Sequence, residues 1–132
     1  QVAALRRFLL RDGFLLASPC CGSREFDNAF RREIKRVLDN ARLHKLSSEH
    51  PVYHIKDDIK KVEYNRFMQK SEQRAPALPL EGMDVKGNTS VIYSPYGIGG
   101  GWRGFSHPFA RDIAPDDAIR LGVNIILYAM TH

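Results

Sequence analysis

The stretch 14-FLLASPCCGSREFDNAFRREIKRVL-38 carries the reading of the fold. Its first five residues, 14 to 18, form a short unbroken apolar run after Gly13. That composition suits a strand buried on both faces of a parallel sheet. Pro19 cannot donate to a ladder, so the strand stops there. From residue 24 to 38 the apolar positions change period. Phe26, Phe30, Ile34, Val37 and Leu38 recur at helical spacing, and Ser23 is a good N-cap after Gly22. A helix over 2–11 precedes the strand, with Val2, Leu5, Phe8 and Leu9 as its apolar stripe. Arg6, Arg7 and Arg11 face water, and Asp12-Gly13 ends the helix with glycine at the C-terminal position. Helix, strand, glycine turn, helix is the rhythm of a doubly wound α/β fold.

Further along, 42-RLHKLS-47 reads as a second strand. His50-Pro51 excludes a helix through that point, because the residue before proline avoids the α region. Residues 56–80 carry weak helical character followed by a proline-rich loop. The segment 82-GMDVKGNTSVIYSPY-96 reads as a hairpin turning at Lys86-Gly87-Asn88. A glycine-dense loop, 97-GIGGGWRGFSHPF-109, comes next. Pro115 opens the last helix, whose residues Ile119, Val123, Ile126 or Leu127, and Met130 are expected to pack inward. Gly122 is expected to allow a close neighbour. No internal repeat is visible.

The chain has 132 residues, 43% hydrophobic and 27% charged, ordinary values for one globular domain, taken as 1–132. No apolar run reaches the roughly 18 residues of a membrane span. The net charge is +5. All of the excess lies in residues 1–45, which hold 10 Lys/Arg and 5 Asp/Glu. Such a face can meet nucleic acid or acidic lipid, but no aromatic residues interleave the arginines as in a single-strand platform. Mixed-sign helix faces are usually solvated, so no nucleic-acid signal is assigned. The chain opens inside a helical pattern without Met, which suggests a segment of a longer protein. Its compartment, cytoplasmic or periplasmic, is left open.

Three blocks carry a likeness to a known family: 5-LRRFLLRDGFLLASPCCGSREFDNAFRREI-34, 50-HPVYH-54 and 121-LGVNIILYAMTH-132. Together they resemble the bacterial family catalogued as domain of unknown function 4159. The resemblance implies kinship with class I glutamine amidotransferase-like domains and a flavodoxin-like three-layer α/β/α sandwich with a mostly parallel sheet. Family members are usually longer by an N-terminal stretch of sheet and helix, so the first strands are expected to be absent from this chain. The family has no established activity.

Active amidotransferases place their cysteine in a Gly-x-Cys-x-Gly elbow between strand and helix, where the helix N-terminus favours the thiolate. Here the corresponding residues are Ser18-Pro19-Cys20-Cys21-Gly22. The second glycine matches and the first does not. Those enzymes also carry a late His-x-Glu motif as base, and this chain has none. His107 is followed by Pro108-Phe109, and His132 is the last residue. A thiol needs a base within hydrogen-bond reach, so Cys20, Cys21 and His107 are candidates without an assigned catalytic set. Two adjacent cysteines make no disulfide framework, and a bond between neighbours is strained.

The same turn suits ligand binding, since open α/β sheets hold ligands beyond the C-terminal ends of their strands. Cys21, Gly22, Ser23, His50 and Trp102 are the binding candidates. Trp102 serves as an anchor for its loop or as a contact for sugar or protein. His50 and His54 are four apart with Asp57 and Asp58 nearby, but Pro51 argues against the helix that a paired-imidazole zinc site would use. No metal and no cofactor is assigned. 96-YGIGGGWRG-104 lacks the Gly-Lys-Ser/Thr of a phosphate loop. The expected function is that of a binding or assembly module within a larger bacterial protein, its partners being other subunits or domains. The alternative is a hydrolase or transferase using a cysteine of the 18–23 turn.

Overall fold

A computed structural model describes residues 1–71, 74–103 and 108–132. It is a mixed α/β structure: a four-stranded sheet, five α-helices and two short 3-10 turns. The helices are α1 (Val2–Leu10), α2 (Arg24–Val37), α3 (Arg66–Ser71), α4 (Gly99–Trp102) and α5 (Pro115–Thr131). The strands are β1 (Leu15–Ala17), β2 (His44–Lys45), β3 (Glu81–Val85) and β4 (Asn88–Tyr93).

Their spatial order is β1-β4-β3-β2. Only β1 and β4 run parallel, with Leu15 opposite Val91 and Ala17 opposite Tyr93. Both other pairings are antiparallel. The expected mostly parallel sheet is therefore corrected to a mixed one. The reason is local. β3 and β4 are joined through Lys86 (φ 54) and Gly87 (φ 86), and two residues suffice only for an antiparallel connection. The segment 42–47 yields just two strand residues, which pair with β3 at the sheet edge rather than beside β1.

Side chains alternate along β4, so each sheet face carries its own core. Val91 and Met83 meet Leu9 of α1 and Ile34 and Val37 of α2 on one face. Ile92 meets Ala118, Leu121, Ile125 and Tyr128 of α5, with Val52 and Tyr53, on the other. α2 buries the face its period predicts, although Phe26 stays 42% exposed.

Two helices depart from expectation. In α1, Phe8 is exposed while Leu9 is fully buried. Arg6 does not face water alone. Its Nε and Nη2 donate to the carbonyls of Val37 and Arg36, at 2.7 and 2.6 Å. A cation there satisfies the open C-terminal end of α2. The left-handed residue ending α1 is Asp12 (φ 67), not Gly13. Aspartate tolerates that region. Gly13 is needed for space instead, because a Cβ there would lie 2.5 Å from the Phe8 carbonyl oxygen.

The larger correction is α5. Ile119, Val123, Ile126 and Met130 point outward, at 49%, 36%, 54% and 76% exposure. Ala118, Leu121, Ile125 and Tyr128 face the core instead. Both stripes are apolar, so periodicity alone had no means of choosing between them. Gly122 does admit a close neighbour: the Trp102 ring lies where its Cβ would be, at 2.8–2.9 Å. Trp102 itself ends α4, a single helical turn inside what reads as a loop, and its Nε1 donates to the Ala118 carbonyl at 2.8 Å. Among the described residues no helix is long and apolar enough to cross a membrane.

Candidate functional site

The chain leaves β1 at Ala17 and reaches α2 through 18-SPCCGS-23. Pro19 is extended (φ −69, ψ 137), and Cys20–Gly22 then form a 3-10 turn. Cys21 (φ 57) and Gly22 (φ 68) are both left-handed. At Gly22 this conformation admits only glycine, because a Cβ would lie 2.2 Å from the Arg111 carbonyl oxygen. The approach is held from both sides. Arg111 N–H donates to the Cys21 carbonyl at 2.9 Å, and Arg111 Nη1 donates to the Gly22 carbonyl at 2.8 Å. Ser23 caps α2 as its residue type predicts, its Oγ accepting from Phe26 N–H at 3.3 Å.

The two sulfurs stand 3.7 Å apart and both cysteines are exposed. The Cys20 hydrogen bond, then burial, pushes the Cys21 thiol above its ordinary value of 9.0, with Arg103 pulling the other way. An activated thiol shows the opposite shift. The turn's amides are also engaged. Gly22 N–H donates to the Pro19 carbonyl and Ser23 N–H to that of Cys20, each at 3.2 Å. An oxyanion hole needs such donors aimed at the reacting centre.

The turn is a ridge between two clefts at the end of the sheet where β1 and β4 finish. The first encloses about 320 Å³ and is lined by Leu16, Ser18, both cysteines, Ile98 and Trp102, with Arg103 at its rim. Trp102 is 44% exposed, so its pyrrole end anchors α4 to α5 while its remaining face meets the cleft. No described histidine lines this cleft. His107 lies outside the described residues.

The second cleft, of about 330 Å³, opens on the α2 side and was not singled out from the sequence. A charged network forms its floor. Arg31 Nη1 and Nη2 donate to Glu81 Oε1 and Oε2 at 2.8 and 2.7 Å. Its Nε donates to Asp27 at 3.1 Å. Tyr93 Oη donates to the same Asp27 at 2.6 Å, and the Tyr93 ring stacks on Phe30 at 4.2 Å. Glu81, then the cost of burial opposed by Asp27, leaves the Arg31 guanidinium held more firmly protonated than usual. Burial, then Asp27, pushes the Tyr93 phenol well above its ordinary range. The i, i+4 spacing of Asp27 and Arg31 was visible in the sequence. Glu81, fifty residues away, was not.

His50 belongs elsewhere. It lies beside Thr89, the second residue of β4, at the opposite end of the sheet from the 18–23 turn. Its Nδ1 accepts from Val52 N–H at 3.0 Å, so the ring proton sits on Nε2 and donates to Thr89 Oγ1 at 2.8 Å. Thr89 Oγ1 donates in turn to Asp84 at 2.8 Å, and Thr89 N–H donates to Tyr128 Oη at 3.1 Å. His50 thus caps the Pro51–Tyr53 turn and ties it to β4. His54 points away to Asp58 and to the Ser48 carbonyl. Among the described residues no group of three potential metal ligands gathers anywhere.

The family model described as Domain of unknown function (DUF4159) matches residues 1–130. No curated protein matches the chain.

Proposed function

The chain belongs to the DUF4159 family, and from that premise we propose that it is a binding module working at the sheet end around the 18–23 turn, not a thiol enzyme. The observation that carries the reading is the turn itself. It separates two clefts of small-molecule size, beyond the ends of two parallel strands, where such folds hold ligands. Cys21 and Trp102 line the first cleft, Gly22 and Ser23 set the turn beside it, and His50 is structural. Kinship with amidotransferase-like, flavodoxin-like domains is part of the proposal. Its support is the succession β1, glycine turn, α2 and the parallel β1 and β4 pair. Service within a larger bacterial protein is part of it too. The outward stripe of α5, spaced 4, 3 and 4 residues like a helix-pairing seam, supports an assembly role.

The alternative thiol chemistry is tested by alkylation with iodoacetamide across pH. The expected rate is low at neutral pH and rises with pH through 9 and beyond. Cys20→Ala, which removes the largest cause of the shift, is expected to speed Cys21 labelling at neutral pH. A rate that has already reached its plateau near pH 7 in the unaltered chain would mean a preformed thiolate and overturn the binding reading.

A further inference from the structure

The 18–23 turn presents its two thiols as a pair. In an extended strand, neighbouring side chains point to opposite faces. Here Cys21 is left-handed (φ 57, ψ 21) after an extended Pro19, and the two sulfurs come together instead. They stand 3.7 Å apart, on two exposed residues. The backbone beneath them is fixed. The Cys21 and Gly22 carbonyls accept from Arg111 at 2.9 and 2.8 Å, and the Pro19 and Cys20 carbonyls accept from Gly22 and Ser23 N–H. Two thiols held on one side of a braced turn are already arranged as a chelate.

The geometry narrows what the pair can hold. A direct bond between the sulfurs is strained, because a disulfide sets its Cα atoms about 4.4 to 6.8 Å apart and neighbours across a trans peptide stand about 3.8 Å apart. One atom placed between the sulfurs removes that conflict. With sulfur bonds of about 2.3 Å, the length zinc makes to thiolate, a gap of 3.7 Å closes around one atom at roughly 107°. That angle suits a tetrahedral or pyramidal centre. A structural zinc takes four protein ligands, and among the described residues no group of three potential ligands gathers. A trivalent organoarsenical, R–As(OH)2, needs two thiols and keeps its carbon substituent as the third bond. Two As–S bonds form and two As–O bonds break. Each departing hydroxide leaves with one thiol proton as water, and arsenic stays trivalent. No oxidant and no preformed thiolate is required, which fits a Cys21 thiol held above its ordinary value.

The carbon substituent has a place to go. Both cysteines line the first cleft, whose mouth is open and whose apolar side is made by Leu16, Ile98 and Trp102. Trp102 is held by its bond to the Ala118 carbonyl and by close packing on Gly122, yet stays 44% exposed. A fixed indole face suits an aromatic group. We propose that Cys20 and Cys21 form a dithiol site that captures a trivalent organoarsenical through both sulfurs, with its organic group in the cleft against Trp102. The thiols act here as ligands, not as a catalyst. The proposal rests on the binding-module reading only in placing a ligand at this turn.

The test is a titration of the reduced chain with phenylarsine oxide, which hydrates to the dihydroxy form, followed by intact mass and by emission of Trp102, the chain's one tryptophan. One phenylarsenic group per chain is expected, with a change in Trp102 emission. The adduct should withstand excess mercaptoethanol and be released by ethanedithiol. Cys20→Ser and Cys21→Ser, both at exposed positions, should each weaken capture roughly a hundredfold with the melting temperature unchanged, since the second bond closes within one molecule only when both thiols are present. The chain should prefer phenylarsine oxide over methylarsonous acid about tenfold more than free dithiothreitol does, because the ring meets the apolar wall. Unfolding in urea should weaken capture about tenfold, as the sulfurs lose their arrangement. Full capture by either serine variant, the same preference as dithiothreitol, or an affinity unchanged by urea would overturn the proposal. Capture by a chain whose alkylation has reached its plateau near pH 7 would sink the binding-module reading alone, and no capture by a chain with slow thiols would sink this inference alone.

Discussion

The two ends of the central sheet are both polar, and they differ in what the polar groups leave open. At the start of β4, His50, Asp84 and Tyr128 are all hydrogen-bonded to Thr89. The cavity beside Thr89 and Tyr128 is about 30 Å³, room for one water. At the far end of β4, Arg31, Glu81, Asp27 and Tyr93 are equally well bonded, yet they floor a cleft ten times larger. A histidine among polar neighbours is a structural tie where the packing is closed. A saturated ion cluster becomes a candidate site where the surrounding turns stand away from it. The 18–23 ridge lies beside it, with Gly22 packed against Arg111 of the cleft lining.

The largest effect should come from filling that ridge. Gly22→Ala adds left-handed strain and drives a Cβ to 2.2 Å from the Arg111 carbonyl oxygen. The expected loss is about 3 kcal/mol in urea unfolding, combining backbone strain and overpacking. A loss under about 1 kcal/mol would mean the ridge yields easily and is no fixed wall.

Next comes the floor. Arg31→Leu leaves Glu81, whose side chain is 10% exposed, without its partner. Removing one member of a buried pair costs about 3 to 5 kcal/mol, but the Arg31 side chain is 38% exposed, so about 2 kcal/mol is expected. Adding Glu81→Leu should recover part of it. If the double variant is no more stable than the single, the two residues are not coupled and the floor is misassigned.

The smallest effect belongs to the closed end, and it is read by pH. Burial depresses the His50 pKa below its usual 6.5 in the folded chain. Protonation would also end the bond that Nδ1 accepts from Val52. The unfolded chain therefore binds the proton more readily. The His50 contribution is complete above pH 6.5 and is lost as pH falls through the depressed folded value. His54, four residues on, shifts the other way, held up by the Ser48 carbonyl and then by Asp58. Its contribution is present below 6.5 and fades as pH rises through the raised value. His50→Asn keeps a cap acceptor for Val52 but loses the Thr89 contact. It should cost about 1 kcal/mol at pH 7.5 and flatten the acid side of the stability profile. An unchanged profile would break the contrast between the two ends.

How much of this was legible varies by element. The strand, turn and α2 were readable because their signals are local: an apolar run, a proline, a glycine, and a serine that caps. The hairpin was readable from Lys86-Gly87-Asn88 for the same reason. The second cleft was not, because Glu81, Lys45 and Arg111 reach α2 only through strand pairing and the fold of the segment ahead of α5. The buried face of α5 was not readable either, since its two stripes are both apolar and only the packing partner distinguishes them.

The sequence by itself determined the succession of helix, strand, glycine turn and helix over residues 2–37, the hairpin and the last helix, and that no late His-x-Glu motif accompanies the cysteines. These follow from short-range sterics and from residue types present or missing. The tertiary structure decided which strands are neighbours, which face of α5 is buried, that His50 lies at the opposite end of the sheet from the cysteines, and that four cations share one cleft. Each of those depends on contacts between residues tens of positions apart, whose energies are set by chain packing and leave no periodic trace in the sequence.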